Sequence, residues 1–284
     1  MVGELGAEPT PGGVNWMSMG AATDSLDWHD ALDSYRYPVD LREFSGRDRF
    51  PGWFGLNLEK GDRSETIQFE THFRECAASR LEPWYEVVFW KMYSQRRLTD
   101  KQTKRTIERI ESNKTSASTL LKYCAEYLQS ETKKSFRQFQ HLLIKERSIA
   151  VAFTFAAFSC PSRFPMFDRR IARYVASEAF RLEFSTAPAI DKTLNRYRAS
   201  GNDVLTLSDW PFVEEWVGWC RKMADRLSAH KKHVWRARDV EMAVFRAWGQ
   251  PEERKSCFKG MPRYKLIDKL AQGQEATSSL SSQT

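Results

Sequence analysis

From residue 82 onward, apolar positions recur with the period of a helix. Trp84, Val87, Val88 and Met92 share one face, and Tyr85, Phe89 and Tyr93 fill the next. A helix apolar nearly all round is a buried one. A strongly basic stretch follows at Lys101–Ser112. Thr115–Gln129 then carries Leu120, Cys124, Tyr127 and Leu128 at helical spacing, and Thr132–Leu143 continues the pattern. Ser148–Ser159 is almost purely apolar and predicts a core helix. Asp168–Glu183 shows Ile171, Tyr174, Val175, Ala179 and Leu182, whereas Asp191–Ala199 is short and charged. Ser208-Asp209-Trp210-Pro211 is a helix start, a cap residue followed by Pro in the first turn. Its helix carries Phe212, Val213, Trp216, Trp219, Cys220, Met223 and Leu227 on one face. A last helix over Arg238–Trp248 stops at Gly249 and Pro251.

The first eighty residues lack that period. Residues 1–25 read as a flexible arm. Residues 26–80 hold Pro38, Pro51, Gly46, Gly52, Gly55 and Gly61 among scattered aromatics and read as an irregular part packing on the core. Within them Thr66-Ile67-Gln68-Phe69 alternates and fits a short strand. Residues 81–250 form the helical domain, and 251–284 an extension with a disordered tail. The expected class is mainly α, a bundle of about eight helices with an irregular N-terminal part.

Composition narrows the function. The 284 residues are 41% hydrophobic and 29% charged, an ordinary globular balance. A formal net charge of +7 and a pI near 9.1 point to a polyanionic partner, nucleic acid or an anionic surface. Cys76, Cys124, Cys160, Cys220 and Cys257 lie far apart with no CxxC spacing, which argues against a cysteine-built zinc site. Cys124, Cys160 and Cys220 fall in apolar runs and read as buried free thiols. Met1 to Thr23 has no apolar signal-type core, and no stretch reaches membrane-spanning length. The expected setting is a reducing cytoplasm, with no membrane, no metal, no cofactor and a monomeric chain.

One segment concentrates chemistry. Two core helices are joined by Cys160-Pro161-Ser162-Arg163-Phe164-Pro165-Met166-Phe167. Pro161 and Pro165 stop helix propagation, so Asp168 falls at the start of the next helix. Asp is a favoured N-cap, and capping and catalysis coexist, because a carboxylate fixed at a helix N-terminus is held ionised and oriented. Arg169, Arg170 and Arg173 follow at once and offer cations to a phosphate backbone.

The order of a basic hairpin (Leu143-Ile144-Lys145-Glu146-Arg147-Ser148), a small-and-apolar helix, a Pro-containing loop and an Asp resembles the helix–hairpin–helix DNA glycosylase superfamily. Trp84 to Gln95 looks like that family's early helix, and Trp235 to Gly249 like the closing helix of its bacterial 8-oxoguanine glycosylase-like branch. The resemblance covers about residues 80–250. It implies that Asp168 is catalytic and that Lys145, Arg147, Ser148, Arg169, Arg170 and Arg173 meet the DNA backbone. It further implies a base pocket drawn from Ser94, Gln95, Trp235, Asp239 and Met242.

Two departures refine the expectation. The family hairpin is rich in Gly so that its amides approach phosphate, whereas this one has no Gly between 143 and 149 and shifts the grip to Lys145 and Arg147. Members that also cut the strand place a nucleophilic Lys about 20 residues before the Asp. Here the nearest Lys is Lys145, 23 residues upstream (168 − 145), so the fit is to a monofunctional enzyme without lyase activity. The expected substrate is double-stranded DNA carrying an oxidised purine or a bulky modified cytosine of phage DNA. A non-catalytic DNA-binding module on the same scaffold is the alternative. Trp53 and Phe54 are wedge candidates, with core packing the competing role, and His230-Lys231-Lys232-His233 reads as a solvated basic helix end.

Overall fold

The computed structural model describes residues 26–37, 62–93, 100–144, 148–167, 169–176, 183–200, 205–229 and 233–247. Among the described residues the secondary structure is helical, with no strand and one isolated antiparallel bridge between Arg36 and Asp62. The mainly α class therefore holds.

The N-terminal part is more helical than its sequence suggests. α1 runs Trp28–Asp33 and α2 runs Arg63–Cys76. Each opens on an aspartate cap. Asp27 accepts from the backbone of His29 and Asp30, and Asp62 from Glu65 N at 2.9 Å. The strand expected at Thr66–Phe69 is instead the second turn of α2. Four residues cannot separate a period of two from one of 3.6. What decides is the longer pattern, in which Thr66, Phe69, Glu70 and Phe73 are all buried on one face.

α3 (Glu82–Tyr93) is enclosed as its pattern predicts, with Trp84, Val87, Val88, Phe89, Trp90 and Met92 buried. α4 (Asp100–Ser112), α5 (Ala117–Ser130) and α6 (Lys133–Leu143) follow. Ser116 and Thr132 cap α5 and α6 with their hydroxyls. α7 (Ala150–Ser159) is the centre of the bundle. Every residue from Val151 to Phe158 is buried, and α2, α3, α5 and α6 pack around it. Its Phe155 lies 4.9 Å from Trp84, and its Phe158 lies 5.0 Å from Trp90. Such offset and edge contacts between rings fill the core and fix its geometry.

α8 (Arg169–Val175) and α9 (Ala187–Ser200) lead to a short 3₁₀ turn, Leu207–Asp209, and then α10 (Trp210–Ala229). That turn is capped by Thr206, and α10 starts at Trp210 with Pro211 in its first turn, as expected. The Thr206 hydroxyl accepts from Ser208 N, while Asp209 Oδ2 accepts from Thr206 N at 2.8 Å. α11 (Ala237–Ala247) packs against α1 and α10 and touches α8. The described tryptophans (Trp28, Trp84, Trp90, Trp210, Trp216, Trp219 and Trp235) are all buried, so these rings serve the core. Cys124 and Cys220 are buried thiols as expected, and burial pushes Cys124 up to about 12. Cys160 is only half-buried, because it sits at the open end of α7, its Sγ 3.6 Å from Ser162 Oγ.

Candidate active site

The loop between α7 and α8 is built from its first residue. Cys160 N–H donates back to Ala156 O, and Phe164 N–H donates to Cys160 O at 2.9 Å, which closes a tight turn across Pro161 and Ser162. The two carbonyls left over, Pro161 O and Ser162 O, accept from Arg238 N at 3.0 Å and Ala237 N at 3.1 Å. The opening amides of α11 are thus satisfied by this loop. Phe164, Met166 and Phe167 are all buried, and Phe167 packs 5.1 Å from Phe212.

α10 holds the other side. Trp216 Nε1 donates to Met166 O at 3.0 Å, and Arg221 Nε donates to Arg163 O at 2.7 Å. Arg163 and Arg221 also cover the Phe164 ring at 5.5 and 4.8 Å. Glu131, the left-handed C-cap of α5, binds both guanidiniums. Its partial burial would raise its pKa, but the hydrogen bonds and charges of Arg221 and Arg163 outweigh that and hold it below the usual carboxylate value. Lys91 approaches from α3. It is only 2% exposed, and its Nζ lies 3.9 Å from Met166 Sδ.

The described chain stops at Phe167 and resumes at Arg169, the first residue of α8. Asp168 and the side chains of Arg169, Arg170 and Arg173 lie outside the described residues. α8 itself is anchored by buried Ile171, Ala172, Tyr174 and Val175.

The hairpin expected before α7 is described at its two ends. Ile144 leaves α6 in extended geometry, and Ile149 N–H donates to Leu205 O at 3.0 Å. Gln140 Nε2 donates to Ser148 O at 2.7 Å, so half-buried Ser148 is tied back to α6. Lys145 and Arg147 are outside the described residues. So are Ser94, Gln95, Trp53, Phe54, His230, Lys231 and Lys232.

The remaining pocket candidates lie around the start of α11. Met242 is fully buried. Trp235 packs edge-on against Trp28 at 6.4 Å and His29 at 5.2 Å. His233 is half-buried beside them and accepts from Arg63 Nη2 at 3.4 Å if its facing nitrogen is unprotonated. That departs from a purely solvated helix end. Burial first, and then the neighbouring Arg63 charge, lower the His233 pKa.

Asp239 is enclosed in an ion network that the sequence does not announce. It accepts from the backbone and guanidinium of Arg236 and from Arg63 Nε at 3.2 Å. Burial opposes its charge, but these cations prevail and depress its pKa. Glu70 of α2 joins through Arg236 Nη1 at 2.8 Å and Arg238 Nε at 3.2 Å, and Arg238 pairs with Glu241 as well. Glu70, Arg238, Asp239 and Glu241 are all fully buried. Asp239 thereby ties α11 to α2 through Arg63, and Trp235 packs against α1. Trp216, Arg221 and Glu131, which fix the loop, carry no local sequence signal of that task.

No family model, no curated protein and no solved structure matches the chain. Among the described residues no helix is long and apolar enough to cross a membrane. Nor is any group of three or more His, Cys, Asp or Glu there placed to hold a metal ion.

Proposed function

We propose that the chain is a monofunctional DNA glycosylase. It flips a modified or damaged base out of duplex DNA and hydrolyses its N-glycosidic bond, leaving an abasic site. Cleavage builds positive charge on the sugar, and Asp168 stabilises that charge and orients the attacking water. Lys145, Arg147, Ser148, Arg169, Arg170 and Arg173 meet the phosphates, and no covalent lysine takes part. The target is an oxidised purine or a bulky hydroxymethylated or glucosylated cytosine of phage DNA.

One observation carries this reading. The loop that ends at Phe167 is tied by hydrogen bonds to both α10 and α11 up to the residue two before Asp168. A carboxylate that must act on a developing charge benefits from a support that does not reorganise during the reaction. A helix cap alone requires no such bracing.

The test is mass spectrometry of bases released from oxidised DNA and from modified phage DNA. The wild-type chain is expected to release a base, and Asp168→Asn to bind the same duplex while release falls by roughly 10²–10⁴. Salt-dependent binding with no base released from any substrate would favour the binding module instead.

A further inference from the structure

A second group of reactive side chains sits on the far end of α2 from the Asp62 cap. Cys76 is the last residue of that helix, and His72 lies one turn before it. Cys76 Sγ is 3.8 Å from His72 Nδ1. The other ring nitrogen, His72 Nε2, is 3.0 Å from Oε2 of Glu86 on α3. Glu86 is only 2% exposed, while His72 and Cys76 are partly open to solvent. The three residues form a line of thiol, imidazole and buried carboxylate.

We propose that Cys76, His72 and Glu86 form a reactive-thiol site that takes small peroxides, and that this site is independent of the proposed DNA chemistry. Nδ1 of His72 accepts the Cys76 proton, and the sulfur attacks one oxygen of the peroxide. The O–O bond breaks as the S–O bond forms. Sulfur is oxidised by two electrons to a sulfenic acid, and the departing hydroxide takes the proton from His72 and leaves as water. Glu86, at ion-pair distance from Nε2, stabilises the imidazolium while it carries the proton, the role a neighbouring carboxylate plays for any such base.

The surroundings agree with that division of labour. Burial, opposed chiefly by the His72 charge, raises the pKa of Glu86, so its carboxylate gains most when the imidazole is charged. Arg80 also acts on Glu86, lowering its pKa, and Glu82 acts to raise it. α7, packed against α2, contributes no ionisable side chain, since Thr154 and Ser159 are its polar residues and the rest are apolar.

A free thiol is a few per cent thiolate at neutral pH, so complete proton transfer accelerates its reaction by at most about 30-fold. The protein carries its own control, because Cys160 is also half-buried but has Ser162 rather than an imidazole beside it. The full chain is treated with hydrogen peroxide at neutral pH and trapped with a sulfenic-acid reagent, and each cysteine is followed by peptide mass spectrometry. Cys76 is expected to be trapped about tenfold faster than Cys160. His72→Gln is expected to remove that advantage at neutral pH while leaving labelling in alkali unchanged, and Glu86→Gln to weaken it. Equal rates at Cys76 and Cys160 in the wild-type chain overturn the proposal without any variant having to fold. An unaltered neutral rate in a folded His72→Gln chain overturns it too.

Discussion

The indole Nε1 of Trp216 donates to the carbonyl oxygen of Met166 across 3.0 Å, and both residues are buried. This one bond joins α10 to the loop two residues before Asp168. Trp216→Phe keeps an aromatic ring in the core but leaves the Met166 carbonyl without its donor. Burying an unsatisfied carbonyl costs about 1–3 kcal/mol. Urea unfolding is expected to show a loss of that size. If the reading of Asp168 holds, base release should fall further than stability accounts for, because the loop loses a support on its α10 side. Unchanged stability would mean that the carbonyl finds another donor.

Arg169 and Arg170 open α8 directly after Asp168. If they meet phosphates, replacing both with Ala releases fewer counterions when DNA binds. The slope of log affinity against log salt is then expected to become shallower by about 2, since each neutralised phosphate contributes about 0.9. Binding should weaken equally on modified and unmodified duplexes. A slope identical to that of the wild-type chain would remove these two residues from the DNA interface.

The fold was legible where one pattern ran long enough to be unambiguous. Ala150–Ser159 has no polar stripe to expose, and its burial follows from that alone. α10 shows the opposite case, a long amphipathic helix with Pro211 in its first turn. α2 was obscured because Thr66 to Phe69 alternates over too few residues, although Asp62 capping Glu65 N marks the helix start. The site divides in the same way. The Pro161–Pro165 loop and the start of α8 follow from local rules about proline and helix propagation. Its braces do not, because Met166 and Trp216 lie 50 residues apart, and Arg236 and Glu70 lie 166 apart. Long-range pairs of this kind have no period and no motif.

Glu131 makes part of that bracing sensitive to acid. Arg221 and Arg163 depress its pKa in the folded chain below the usual carboxylate value, so the unfolded chain binds its proton first as pH falls. Its contribution is therefore complete above the unfolded value and is lost as pH falls through the folded one. Glu131→Gln is expected to lower stability at neutral pH and to flatten the acid limb when urea midpoints are followed from about pH 7 to about pH 3. An acid limb as steep as in the wild-type chain would assign the acid sensitivity to other carboxylates.

Burial decides which ion pairs matter most. Lys122 and Glu126 are 3.9 Å apart on the outside of α5, with side chains 71% and 46% exposed. Water screens such a pair, and Lys122→Ala is expected to change stability by no more than about 0.5 kcal/mol. Glu70 is fully enclosed and serves Arg236 at 2.8 Å and Arg238 at 3.2 Å. Removing one partner of a buried pair leaves an uncompensated charge and costs about 3–5 kcal/mol. Arg236 retains Asp239 and Arg238 retains Glu241, which places Glu70→Gln near the lower end, about 3 kcal/mol. Chemical denaturation of the two variants side by side measures the difference. Should they prove equally mild, the network around α11 would be neutral to stability, and its worth would lie in fixing where α11 meets Pro161 and Ser162.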